Sequence, residues 1–175
     1  MKRIVAFFRF LRFSLLVKGF HARKLSFIGY KVEISCKNQG YINCHGKIRL
    51  DNYSELQSYG KMTLGNHLVL NKFSRIIALD SIEIGENVTI ARFVSILDHD
   101  HSFIQDKDGS LMLKGYKTAP IKIGNNVWIG DKVSITKGVT IGDNVIVGAN
   151  SVVTKDIPSN CISAGVPCKV VKKLI

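Results

Sequence analysis

The chain repeats itself every six residues. From Ile123 it reads IGNNVW, IGDKVS, ITKGVT, IGDNVI, VGANSV and VTKDIP. The first place holds Ile or Val throughout (Ile123, Ile129, Ile135, Ile141, Val147, Val153), and the second is always small (Gly124, Gly130, Thr136, Gly142, Gly148, Thr154). A helix turns every 3.6 residues, so a period of six would scatter the β-branched residues around its whole circumference. Short strands joined by tight corners instead send each of them to the same side. The small residue that follows lets the backbone pass close to the coil beneath. Asn-Asn, Asp-Lys, Lys-Gly and Asp-Asn then supply the corners, where Asn, Asp and Gly tolerate unusual backbone angles. Three sixes close one triangular coil, and stacked coils bury a continuous apolar column. The fold class that follows is an all-β solenoid.

Upstream the register is less regular. LGNHLV and LNKFSR begin at Leu64 and Leu70, IGENVT and IARFVS at Ile84 and Ile90, and the frame slips by two residues between Ile76 and Ile84. The repeat stops between Ile96 and Ile123, where a loop must leave the solenoid; long loops in compact domains are usually functional or disordered. The expected layout is a basic amphipathic helix over 1–24, irregular or early solenoid coils over 25–63, hexapeptide coils over 64–158 with a protruding loop at 97–122, and a C-terminal cap and basic tail over 159–175.

Composition narrows the function classes. A chain of 175 residues with 46% apolar and 22% charged residues is one globular domain, and its net charge of +12 calls for an anionic partner. The four cysteines show no C-x-x-C spacing and are read as reduced thiols. No interleaving of aromatic and basic residues suggests a platform for nucleic acid. In MKRIVAFFRFLRFSLLVKGF, Arg9 and Arg12 break the apolar run and no small-residue cleavage site follows, so neither a signal peptide nor a membrane span is expected. Ile4, Phe7, Phe8, Leu11 and Leu15 share one helical face, while Phe10, Phe13 and Val17 lie elsewhere. Packing on the domain or a neighbouring subunit, and peripheral contact with anionic lipid, both stay open for residues 1–24.

The hexapeptide run, with GNNVWIG (Gly124 to Gly130), TKDIP (Thr154 to Pro158) and AGVPCKVV (Ala164 to Val171), resembles the hexapeptide-repeat acetyltransferases, in their galactoside, maltose and polysaccharide O-acetyltransferase branch. The likeness runs from about Leu64 to Lys172. It implies a left-handed β-helix, although the general crossover rule would favour the right hand. It further implies a homotrimer with active sites between subunits, acetyl-CoA as donor and a sugar hydroxyl as acceptor; the reduced thiols point to a cytoplasmic protein, and the basic helix allows it to rest on the inner face of the membrane. A cell-surface saccharide or its precursor is the expected acceptor; a free sugar, a nucleotide-linked amino sugar or an antibiotic are the alternatives.

The same resemblance places the family's catalytic histidine at His101, within ILDHDHSF. A neutral imidazole there would take the proton of the attacking hydroxyl. Asp98 and Asp100 are both candidates for orienting it. Asn71 and His99 fall on the acceptor side, and Trp128, Asp131, Ala149, Thr154 and Lys155 along the CoA arm. Lys169 and Lys172 match basic positions that meet CoA phosphates. No metal is expected, although two histidines one residue apart can also ligate zinc, as in the γ-type carbonic anhydrases that share this helix.

Overall fold

The computed structural model describes residues 2–174, with side chains from Ile4 onward. The chain winds as a left-handed parallel β-helix of about seven coils, opened by one helix, Lys2–Leu16. Each coil lays one strand on each of three faces. The first face begins with Phe20–Ala22 and ends with Thr140–Ile141. The second runs from Phe27–Ile28 to the C-terminal strands, and the third from Glu33–Cys36 to Val152–Val153.

The stacking is in register, so like meets like in the core. Ile96 lies between Ile76 and Ile135, and Ile90 between Leu70 and Ile129, all buried. The valines at the fifth place of each six (Val88, Val127, Val133, Val139, Val145) are buried as well. The small second residue has the cause expected of it: a Cβ on Gly130 would lie 2.7 Å from the amide nitrogen of Ala149 in the next coil.

Two corners carry ladders of left-handed residues. Between the first and second faces, His67, Asn87, Asn126, Asn144 and Asn160 all have φ of 56–59°. Their side chains are joined rung to rung by hydrogen bonds of 2.9–3.1 Å. Asn tolerates this backbone region better than most residues. Between the second and third faces the same conformation is taken by Tyr53, Phe73 and Phe93, bulky residues that seldom adopt it. Their rings stack at 5.1 Å between centroids, and this stacking offsets the local strain.

The third corner varies in length. The coil from Ile76 to Ile96 is two residues longer than the coil from Ile135 to Val153, and the extra residues sit at Leu79–Asp80. This accounts for the slip between Ile76 and Ile84. Regular coils also occupy most of residues 25–63, with strands at Glu33–Cys36, Tyr41–Cys44, Ile48–Leu50 and Glu55–Ser58.

The ends depart from the expected layout. The helix stops at Leu16, well before residue 24, and Phe20–Ala22 is already a strand of the first face. Phe20 is buried, so the core claims this segment from the helix. The helix packs on the strands Phe20–Ala22 and Phe27–Ile28 and buries Ala6 and Phe10. At the other end Cys161–Ala164 adds one more parallel rung to Val145–Val147, and Lys169–Lys173 turns back antiparallel along it and caps the stack. The protruding loop is a hairpin, His99–Gln105 against Leu111–Thr118.

Candidate active site

The hairpin leaves the solenoid at the third corner, directly above the longer corner Leu79–Asp80. In the coil below, the amides of Tyr59 and Lys61 donate to the carbonyls of Ala78 and Asp80. One rung higher the departing hairpin leaves no backbone carbonyl over Leu79 and Asp80. The Asp98 side chain takes its place: it is fully buried and accepts from both amides at 2.8 Å. The Asp98 carbonyl accepts from the Ala119 amide at 2.9 Å, which closes the foot of the hairpin.

Asp98 also holds an imidazole. His99 Nδ1 lies 3.1 Å from Asp98 Oδ1. With the carboxylate as acceptor, Nδ1 carries the hydrogen and Nε2 is left free to take a proton. His99 forms part of the wall of a cavity of about 540 Å³, with Gln57, Tyr59, Ile77, Leu79 and Tyr116.

Along a strand, alternate residues face the same way. His99 and His101 therefore share one side of the hairpin and Asp100 the other. Tyr116, opposite His101 on the return strand, touches both imidazoles, with centroids at 5.4 Å from His99 and 4.7 Å from His101. His101 is exposed at the rim. Asp100 is paired with Lys137 from the coil above. Within one chain, then, neither aspartate partners His101: Asp98 is committed to His99, and Asp100 to Lys137. Tyr116, Lys137 and the two amides went unnoticed in the sequence. Lys137 could have been found by counting coils, because ITKGVT places it at the third corner one rung above the loop.

The remaining candidate residues are spread over the prism. Asn71 lies at the second corner, where its side-chain Nδ2 donates to the Ile90 carbonyl at 2.8 Å. Asp131 is at the same corner and accepts from the Arg92 amide at 2.8 Å, with Ala149 on the next rung. Both polar side chains therefore hold the corner together. Thr154 and Lys155 are exposed at the third corner, above Thr136 and Lys137. Trp128 stands outward on the second face, 55% exposed, beside a shallow depression lined by Asn87, Thr89 and Asn126. Lys169 and Lys172 are exposed on the last strand. One chain thus brings together Asp98, His99, His101 and Tyr116, and leaves Asn71, Asp131 and Ala149 on a different edge. Among the described residues no group of three or more His, Cys, Asp or Glu is placed to hold a metal.

Comparison with known proteins gives this architecture a family. Residues 120–155 match the family model described as bacterial transferase hexapeptide (six repeats). Over 97% of this chain and 89% of the relative, the sequence is 31% identical to WbbJ of Escherichia coli K12, named for lipopolysaccharide biosynthesis O-acetyl transfer. The chain belongs to the hexapeptide-repeat acetyltransferases. Within that family it is also 42% identical to the galactoside O-acetyltransferase of Escherichia coli K12, over 54% of this chain and only 45% of that protein's length. Among solved structures, a hexapeptide-repeat acetyltransferase from Vibrio cholerae, complexed with acetyl coenzyme A, superimposes with a TM-score of 0.63 at 25% identity. That match covers 95% of this chain and 76% of the other.

Proposed function

We propose that this protein transfers the acetyl group of acetyl-CoA to a hydroxyl of a saccharide, with His101 as general base. The similarity to WbbJ along nearly the whole chain carries this proposal. The acceptor would be a cell-surface saccharide or its precursor, and the place of work the cytoplasm, at the inner face of the membrane.

The chemistry requires a base at this rim. A sugar hydroxyl is a poor nucleophile at neutral pH. Nε2 or Nδ1 of His101 takes its proton as the oxygen attacks the thioester carbonyl. The tetrahedral intermediate then collapses, the C–S bond breaks, and the thiolate of CoA leaves and recovers the proton from the imidazolium. His101 suits this step because it is exposed to an incoming acceptor and rests on the Tyr116 ring. His99, held by Asp98, would position the acceptor from the cavity wall. The Asp98–His99 contact favours one other assignment, with His99 as base, since a carboxylate already fixes its tautomer.

The donor would run along the upper coils, past Trp128, Asp131, Ala149, Thr154 and Lys155, with Lys169 and Lys172 at its phosphates. These residues lie on different edges and faces of one prism, which fits a CoA arm held between adjacent copies in a homotrimer. Asn71 would then contribute to the acceptor side of the same cleft.

Release of free thiol from acetyl-CoA in the presence of a panel of saccharides tests the reaction. His101→Ala should lower turnover by about 10²–10⁴-fold with CoA binding retained. His99→Ala should lose less. Full turnover in the first variant and none in the second would transfer the role of base to His99.

A further inference from the structure

We infer that the outward face of the N-terminal helix is a docking surface for an anionic phospholipid membrane. The helix Lys2–Leu16 carries two apolar stripes. Ala6, Phe10 and Phe13, continued by Val17 just beyond the helix, form the inner one, packed on the first coil. Ile4, Phe8, Leu11 and Leu15 form the other, offset by two residues and therefore about 200° around the helix. Ile4 is 62% exposed, Phe8 63% and Leu15 78%, with Leu11 half-buried between them, so most of this second stripe points away from the body. Exposed apolar surface of this extent, contiguous along one side of a helix, marks a contact site.

Charge selects the occupant. The first acidic residue in the chain is Glu33; before it come Lys2, Arg3, Arg9, Arg12, Lys18, Arg23, Lys24 and Lys31. From Arg9 onward none of these takes part in an ion pair among the described residues. A second copy of a +12 chain would bring the same uncompensated cations to the helix. The hairpin offers the contrast: its exposed apolar residues are interspersed with Asp100, Asp106 and Asp108 as well as Lys107, Lys114 and Lys117, the mixture suited to another protein surface. An apolar stripe flanked only by cations fits an interface of acyl chains and anionic headgroups. The helix is also too short to cross a bilayer, and no helix among the described residues is long and apolar enough to do so. Beside it opens a cavity of about 500 Å³ lined mostly by apolar residues, among them Ala6, Phe7, Leu25 and Phe27, with Ser26 polar and Lys47 as the one charged lining residue. An acyl chain fits its chemistry.

Docking at this end fixes a working height. The hairpin leaves three rungs above the first strand of the third face, on the order of 14 Å at about 4.8 Å per rung, and the helix packed on the first coil adds about 10 Å. The imidazoles would stand within reach of the first sugars of a saccharide carried on a lipid. This consequence, unlike the docking itself, rests on the acetyl-transfer proposal above.

Flotation of the full chain with vesicles tests the inference. Vesicles of phosphatidylcholine with phosphatidylglycerol should carry the protein upward, phosphatidylcholine alone should carry far less, and added salt should weaken the capture. The double variant Phe8→Glu, Leu15→Glu should reduce the captured fraction about tenfold or more. Its turnover on a soluble saccharide and its oligomeric state by light scattering should remain those of the parent. Failure of the parent to float, or equal flotation of the variant, overturns the inference. A changed oligomeric state with unchanged flotation also overturns it, and assigns the face to a second copy. Absence of acetyl transfer in both proteins, with the parent floating and the variant not, would instead count against the proposed reaction alone.

Discussion

The solenoid coils and the hairpin are built from the same chain by opposite rules. Between the two ends of the stack every coil strand has a parallel neighbour above and below, and alternate side chains are sealed into one apolar column. The hairpin has only itself. Its return strand, Leu111–Thr118, is exposed at every position, and Phe103, Leu111, Leu113 and Tyr116 present apolar surface to the outside. The coils can therefore fix positions but offer few free groups, while the hairpin offers groups that nothing in its own strands fixes. Asp98 joins the two. It stands where the ladder is interrupted, completes the bonding of the coil below, and orients the first imidazole of the hairpin.

If the coils supply the stability, the largest effect belongs to their core. Ile96→Ala opens a hole between Ile76 and Ile135 and should cost about 2–5 kcal/mol, read as a lower urea midpoint. Asp98→Ala should come next. It strands the amides of Leu79 and Asp80, for about 1–3 kcal/mol, and frees His99 as well. Turnover should fall more steeply than stability in this variant. A drop in stability alone would mean that the carboxylate serves only the ladder. Lys137→Ala removes a partly exposed ion pair and should change stability by about 0–1 kcal/mol. Its effect should appear in turnover, through looser placement of the hairpin strand that carries His101.

The same contrast decides what could be read in advance. The coils from Ile121 to Val153 follow a strict hexad because each is three sixes long, so their strands, corners and core could be listed from the residues. The coils before Ile96 were blurred by residues added at one corner: two at Leu79–Asp80 and its counterpart below, and four in the coil from Ile34 to Leu56. Any fixed window loses register there although the inward Ile and Leu continue. Tyr53, Phe73 and Phe93 add to the blur, since aromatic residues at left-handed corners carry no turn signal. Around the site, the sequence marked the segment where the hairpin departs but not the pairings within it. Both aspartates of ILDHDHSF flank histidines, and only the unpaired amides one coil below single out Asp98 for His99.

The smallest effect on folding should come from the hairpin's outer apolar residues, and it tests whether their exposure has a purpose. Leu113 is 73% exposed. Leu113→Ser removes apolar surface that nothing in the chain covers, so the stability of the separated chain should stay within about 0.5 kcal/mol of the parent. The proposed trimer makes a different demand. If the hairpin lies against an adjacent copy, the same substitution takes apolar area out of that contact, and light scattering should show dissociation at a higher protein concentration than for the parent. Turnover per chain should then fall on dilution and recover on concentration, because residues on separate edges of one prism can meet only across two copies. An unchanged assembly and unchanged turnover would show that the hairpin works alone, with His99, His101 and Tyr116 acting on an acceptor that no second chain helps to hold.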